Sequence, residues 1–389
     1  MNRPLTWLRR VAEHVLRNGS ITAGIALLLA LTWFFTATQS SFSVYLFCTC
    51  ALAVIGALAL NLLMGTAGQV SIGTAAFLAV GAFSSVFLTR SGINFPWDVI
   101  VATLFSGAVG LVFGLPALRL RGLYLALSTL AAQFVILYVT NDYQQSSPLG
   151  AAVGFSVPEV FTGHGLDQQG QDWAWLLAIV VIVVMLIVRA LMRTQSGRSW
   201  RLIRDHEVIA GTLGVNVARY KLIVFVLASA LIGLEGALTA HFSGSVTTST
   251  FTFLLAVQYI AMILIGGLDS IAGAVIGATL ITLLPTLVSN ILPGIIGQGQ
   301  AALHGAQYSQ IVYGILVLIF VTMAPGGIAQ WFTAAAHLGS RWLNARGTSA
   351  TGDNVAVTAA VERDPGVAGT SATVATDVGR QQPAVADRD

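Results

Sequence analysis

Charge is scarce in this chain: Asp, Glu, Lys and Arg make up 9% of its 389 residues, whereas an ordinary soluble domain carries about a quarter. With 56% hydrophobic residues and a mean hydropathy of +0.80, a water-soluble globule is excluded, and a bilayer is the solvent that fits. Cysteine is equally sparse. Cys48 and Cys50 stand two apart in one apolar run, so on a helix they point to opposed sides and cannot bridge each other. The six histidines (His14, His164, His206, His241, His304 and His337) show no metal-ligand spacing, so no metal is expected. A Gly-rich phosphate loop and a nucleophile elbow are both missing, so the chain is expected to be no enzyme, to hydrolyse no ATP and to hold no cofactor. Missing too is the alternation over about ten residues that barrel strands require.

What the chain does have is a series of continuous runs rich in Leu, Ala, Val and Gly. A helix crossing about 30 Å of hydrocarbon needs roughly 20 apolar residues. Runs of about that length fall near 21–38, 43–63, 71–89, 98–116, 123–140, 173–192, 221–241, 254–267, 271–290 and 308–324. The expected fold is therefore an all-α integral membrane bundle of about ten transmembrane spans with Gly-interrupted helices. Its layout is a short segment 1–20, a transmembrane domain 21–325 and a tail 326–389. From about residue 347 the tail lacks any apolar pattern long enough to bury and is expected to be disordered.

Arginine sets the expected orientation. Placing the N-terminus inside puts Arg119, Arg121, the 193–221 loop, Arg341 and Arg346 on the cytoplasmic side, leaves Arg90 outside and makes both termini cytoplasmic. The formal charge of +3 would suit a nucleic-acid binder. The basic residues are instead spread over loops beside membrane spans, so lipid is the expected partner and nucleic acid is not. Trp97, Trp173 and Trp175 are expected at the outer headgroup layer.

Three features carry candidate function. The first is the 193–221 loop, which gathers Arg193, Arg198, Arg201, Arg204, Arg219 and Lys221 between two apolar runs. Read as a helix, it sets Trp200, Ile203, Glu207, Ala210 and Gly214 on one side, with Arg201 facing Asp205 and Arg204 facing Glu207. Such a helix is shaped to be gripped by a partner, although a solvated orientation signal has the same composition. The second is a pair of Gly-rich interruptions, Gly65, Gly68, Gln69, Ser71 and Gly73 in one and Gly266, Gly267, Asp269, Ser270 and Gly273 in the other. They share Gly-x-x-Ser-Ile. Unwound backbone inside a membrane survives only where protein or a watery cavity satisfies it, and helix N-termini there suit a carboxylate. Close helix packing asks for the same glycines. The third is Glu235, an intramembrane carboxylate about 21 Å along its helix by helical rise, placed for transport chemistry, snorkelling or a buried hydrogen bond.

Four blocks in order carry a resemblance: NLLMGTAGQVSIGTAAFLAVGAF, GLPALRLRGLYLALSTLA, the stretch from GRSWRLIRDHEVIAGTLGVNVARYK to LIGLEGAL, and ILIGGLDSIAGAVIGATLITLLP. Over about residues 50–325 the sequence resembles the LivM-like permease subunits of branched-chain amino acid ABC importers, with urea-importer permeases as relatives. The resemblance implies a bacterial inner-membrane subunit working with a homologous LivH-like permease, two ATP-binding subunits that bind the ATP and an extracytoplasmic solute-binding protein. It implies that Arg201, Arg204, Asp205, Glu207 and Gly214 belong to an ATPase-coupling segment. Gly65, Gly68, Gln69, Ser71, Gly266, Gly267 and Ser270, from the two Gly-rich interruptions, are the candidate substrate-pathway residues. Thr74 stands where the family usually has His, Gly211 where a second acidic residue is common, Glu235 where a small residue is usual, and Asp269 where Gly is usual. A urea or short-amide importer permease, or an ion-coupled secondary carrier using Glu235, remain the alternatives.

Overall fold

The computed structural model describes residues 40–117, 122–147, 150, 154–158, 160–161 and 166–296, with isolated positions within 29–33 and 311–318. Continuous apolar sequence produces long helices, and polar caps set where they begin. Helix α1 (Ser41–Leu60) runs on through a π-helical segment, Asn61–Thr66, and the chain then leaves helix until α2 (Thr74–Arg90). Helices α3 (Trp97–Ala117), α4 (Leu123–Gln145) and α5 (Leu166–Arg193) follow, then the short α6 (Gln195–Asp205) and α7 (Glu207–Thr212). Helix α8 (Val217–Ser243) leads to α9 (Phe253–Gly266) and α10 (Ile271–Ile296). Side-chain oxygens of Thr194, Asn216, Thr252 and Ser270 accept from backbone N–H groups three residues on, capping α6, α8, α9 and α10. The expectation of an all-helical chain needs one amendment: β1 (Phe155–Ser156) pairs antiparallel with β2 (Ser245–Val246).

Helix α8 is the axis of the bundle, packed on α3, α2 and α1, while α1 also meets α5 and α10, and α9 lies along α10. Close approach follows from small residues. A Cβ on Gly81 would strike the backbone of Gly233, and one on Gly236 the backbone of Leu78, so α2 and α8 meet nearly backbone to backbone. Gly266 and Gly273 join α9 to α10 in the same way. These described elements belong to one unit, Met1–Thr333.

Six helices among the described residues are long and apolar enough to cross a membrane: Ser41–Thr66, Trp97–Pro116, Tyr124–Gln145, Gly170–Arg193, Val217–Ser243 and Ile271–Val288. The runs expected at 71–89 and 254–267 form the shorter apolar helices Thr74–Arg90 and Phe253–Gly266. At 17 and 14 residues their helical rise gives about 26 and 21 Å, short of about 30 Å of hydrocarbon. Apart from those isolated positions, the runs at 21–38 and 308–324 lie outside the described residues, as do the segment 1–20 and the tail 326–389. Trp97 is exposed as expected, but Trp173 is buried among Phe95, Phe161 and Phe242 and is a core residue, not a headgroup anchor.

Candidate functional site

The arginine-rich loop folds as two short helices and not one, because His206 leaves helical geometry at φ −149° and ψ 81°. In α6 the apolar positions Trp200 and Ile203 turn inward and are buried, and the Trp200 Nε1–H donates to the Tyr220 carbonyl at 2.9 Å. Arg201 and Arg204, three residues apart, therefore share the adjoining face.

That face meets both Gly-rich interruptions. Arg201 Nε donates to Asp269 Oδ2 at 3.2 Å, and Arg204 lies 3.6 Å from the same oxygen. Arg204 also donates to the Gly65 carbonyl at 2.5 Å and pairs with Asp205 at 3.0 Å. Thr66 Oγ1 donates to Asp269 Oδ1 at 3.1 Å. Asn61, buried at the end of α1, accepts from the Asp269 N–H at 3.0 Å and donates to the Ser270 carbonyl at 3.1 Å. Gln69 Nε2 donates to the Lys221 carbonyl at 3.1 Å, tying the first interruption to the start of α8. Gly68 adopts φ +67° directly beneath the Arg204 side chain, where any larger residue is both strained and in collision.

The residues expected along a solute pathway are thus drawn into contacts within the chain. Gly65, Gly68 and Gln69 touch the arginine loop, Ser270 caps α10, Gly266 packs on Gly273, and the buried Ser71 accepts from the Gly73 N–H. Gly267, at φ 109°, closes the end of α9. The pairings expected within the loop are replaced. Arg201 reaches Asp269 in place of Asp205, and Glu207 pairs with Lys221 at 2.9 Å in place of Arg204. The break at His206 ends the helical register that set Arg204 over Glu207. It also removes Glu207 and Gly214 from one helix face, since α7 stops at Thr212 and Gly214 follows at φ +81°. A side chain at Gly214 would meet nothing within 4 Å, so within this chain Gly214 serves a turn and not a close contact.

Sequence reasoning missed the most exposed apolar side chains of the loop. Val208, Ile209 and Leu213 are 75%, 49% and 68% exposed, while Ala210 between them is buried. The signal was present as an apolar triplet inside a polar loop.

Glu235 lies wholly buried where α8, α1 and α9 meet. The Tyr259 O–H donates to one carboxyl oxygen, and the other rests against Gly56 of α1, where even a methyl group would overlap it. That contact leaves no space for a hydrated ion between the helices. Six residues further along α8, at its C-terminal end, His241 Nε2 lies 2.5 Å from Asp98 Oδ2, which also receives Ser85 Oγ at 2.7 Å and Thr89 Oγ1 at 3.2 Å. Among the described residues no group of three or more His, Cys, Asp or Glu is placed to hold a metal ion, and both cysteines are free and buried.

Known proteins place this architecture. LivM, the high-affinity branched-chain amino acid transport permease of Salmonella typhimurium, is 26% identical over 326 residues, covering 78% of this chain and 73% of its own. The Escherichia coli LivM is 25% identical over the same shares. A probable LivH of Methanocaldococcus jannaschii is 26% identical over 287 residues, covering 71% of this chain and 88% of its own. No solved structure gives a significant match. The family profile described as "Branched-chain amino acid transport system / permease component" matches residues 42–321, which takes in the arginine loop, both Gly-rich interruptions and every helix from α1 to α10, and the chain belongs to that family of multi-pass membrane permeases.

Proposed function

We propose that this permease is one membrane subunit of an ATP-driven ABC importer that moves branched-chain or related small amino acids across a bacterial inner membrane. Its partners in this assembly are a homologous LivH-like permease, two ATP-binding subunits and an extracytoplasmic binding protein. The observation that carries the assignment is an exposed apolar knob on α7. An isolated set of exposed apolar side chains, Val208, Ile209 and Leu213, stands beside the charged α6 in a chain whose sequence holds no nucleotide loop. Exposed apolar clusters rimmed by polar residues mark protein contacts, and ATP-driven transport by such a chain takes its energy from a nucleotide-binding partner. Matches to both LivM and LivH relatives support a pair of related permeases, and the substrate class follows the names those relatives carry.

ATP is cytoplasmic, so the loop faces the cytoplasm. With ten crossings, counting the shorter helices α2 and α9 and, by their sequence alone, the runs 21–38 and 308–324, both termini do as well. The non-helical stretches 67–73 and 267–270 then lie between consecutive crossings on the cytoplasmic side, against the arginine loop. The expected result in proteoliposomes holding the full complex is ATP-dependent uptake of leucine, isoleucine or valine. Urea uptake that none of the three competes with would reject the substrate class. Uptake that persists on an ion gradient with the ATP-binding subunits inactivated would reject the ATP-driven assembly.

The ion-coupled alternative turns on Glu235, and its burial against Gly56 and Tyr259 favours a packing role. Glu235→Gln keeps an oxygen to accept the Tyr259 hydrogen bond. Since one exchanged hydrogen bond is worth about 1 kcal/mol, ATP-driven uptake is expected to stay within about fivefold of the unmodified protein. Complete loss of uptake with normal amounts of folded protein would instead assign Glu235 to the transported ion.

A further inference from the structure

We propose that Asp269 is the pin through which movement of the arginine loop reaches both backbone interruptions at once, making it a positioning residue for transport. The proposal rests on the assignment of that loop to ATPase coupling.

The polar atoms of Asp269 tie its own segment to two others, α6 and the 61–73 segment. One carboxylate oxygen takes Thr66 from the first interruption, at 3.1 Å, and the Arg201 guanidinium at 3.5 Å. The other takes Arg201 Nε at 3.2 Å and lies 3.6 Å from Arg204. The backbone N–H goes to Asn61 at the end of α1, and Asn61 returns a bond to the next carbonyl, at Ser270. Three separate parts of the chain, α6, the 61–73 segment and the 267–270 segment, thus share one carboxylate. Charge-assisted hydrogen bonds are shorter and about twice as strong as neutral ones. The one carboxylate faces both guanidinium groups, while Arg204 also holds the Gly65 carbonyl.

The backbone is adapted to this placement. Asp269 is the one residue other than glycine, among the described residues, with a left-handed backbone, at φ 63°. Asp and Asn tolerate that region better than other side chains. Gly would fit there too, but it would leave two guanidinium groups without their shared acceptor.

The connection is rigid on the loop side. Trp200 and Ile203 anchor α6 in the bundle, Trp200 is bonded to Tyr220, and Gln69 is bonded to Lys221. A shift of α6 driven through the α7 knob cannot occur without displacing Asp269 or breaking its bonds, and the interruptions on either side are where helices lack continuous hydrogen bonding and can re-aim. Discrete rearrangement of packed elements is how small displacements at one site become changes of access at another.

The test is Asp269→Asn in the complete complex in proteoliposomes, reading three quantities: co-purification of the ATP-binding subunits, ATP hydrolysis, and solute moved per ATP. Asn keeps the shape and the backbone tolerance and removes the charge. Co-purification and hydrolysis are expected to persist while solute per ATP falls at least about tenfold, within the range of typical coupling energies. Thr66→Val removes one neutral donor and keeps all charges. A smaller fall of about threefold is expected, and this variant keeps the question open to measurement if Asp269→Asn does not accumulate. A purely structural Asp269 would lower the yield of folded protein but leave the surviving complex with an unchanged ratio of solute to ATP, which would overturn the proposal. Loss of co-purification in Asp269→Asn would overturn it as well, because the cluster would then shape the docking face. Failure of the coupling assignment itself is separable: Leu213→Asp would then leave co-purification intact, whatever Asp269→Asn does.

Discussion

Replacing Leu213 by Asp is expected to detach the ATP-binding subunits and to abolish uptake while the permease still inserts and folds. Leu213 caps the C-terminal end of α7, 68% exposed, with Ile209, 49% exposed, one turn before it. Nothing in the chain's own core depends on these side chains, whereas the neighbouring Ala210, Trp200 and Ile203 are buried and hold the loop to the bundle. A charge placed at the centre of an apolar contact has to be desolvated on docking. The loss is of hot-spot size, about 2 kcal/mol or more, or roughly 30-fold in affinity. Glu207→Ala acts differently. It opens the 2.9 Å pair with Lys221 that ties α7 to the start of α8, so it should loosen the knob without changing its surface, with a smaller fall in co-purification. The measurement is recovery of ATP-binding subunits with tagged permease, alongside thermal unfolding of the permease in detergent. If Leu213→Asp retains its ATP-binding subunits at unmodified levels, α7 is not the docking element.

Much of this arrangement was legible from residue patterns, for identifiable reasons. Hydropathy located eight of the helices described, since a run such as 173–192 has no other stable fate in a bilayer than a helix. The Gly-rich interruptions stood out because Gly and Ser cluster where apolar residues should continue, and the chain does leave helix between Thr66 and Thr74 and between Gly266 and Ile271. What those interruptions touch was not legible. Asp269 and Thr66 are 203 residues apart, and Asp269 and Arg201 are 68 apart. No periodicity links positions that meet only after tertiary folding. The loop's internal pairing failed for a local reason: helical spacing from Arg204 to Glu207 assumes an unbroken helix, and His206 breaks it. Trp173 failed for a tertiary one, because an indole placed at a helix start serves a headgroup layer or an aromatic core equally well until its neighbours Phe95, Phe161 and Phe242 are known.

The second large effect is expected at the opposite end of α8, at a cluster no motif announced. Asp98 is fully buried at the start of α3, and its Oδ2 is shared by His241 from the end of α8 and by Ser85 and Thr89 from the last turns of α2. The ring of Phe95 packs edge-on against His241, with centroids 5.5 Å apart, and closes the cluster on another side. One carboxylate thus fastens three helix ends together in a region that excludes water. Removing one partner of a buried pair leaves an uncompensated polar or charged group and costs about 3–5 kcal/mol, whereas replacing both by apolar residues of similar size is often neutral. His241→Leu is therefore expected to lose about 3–5 kcal/mol of stability, seen as a marked fall in both the detergent melting temperature and the yield of monodisperse protein. Adding Asp98→Leu to His241→Leu is expected to recover most of that loss, because the buried carboxylate is gone, although Ser85 and Thr89 then depend on carbonyls of their own helix, as Thr89 already does on Ser85 at 2.9 Å. A structural fastener also predicts that the recovered double variant transports. If it melts like the unmodified protein yet moves no solute, the Asp98–His241 pair takes part in transport itself, and if His241→Leu alone melts like the unmodified protein, the pair does not hold these helix ends.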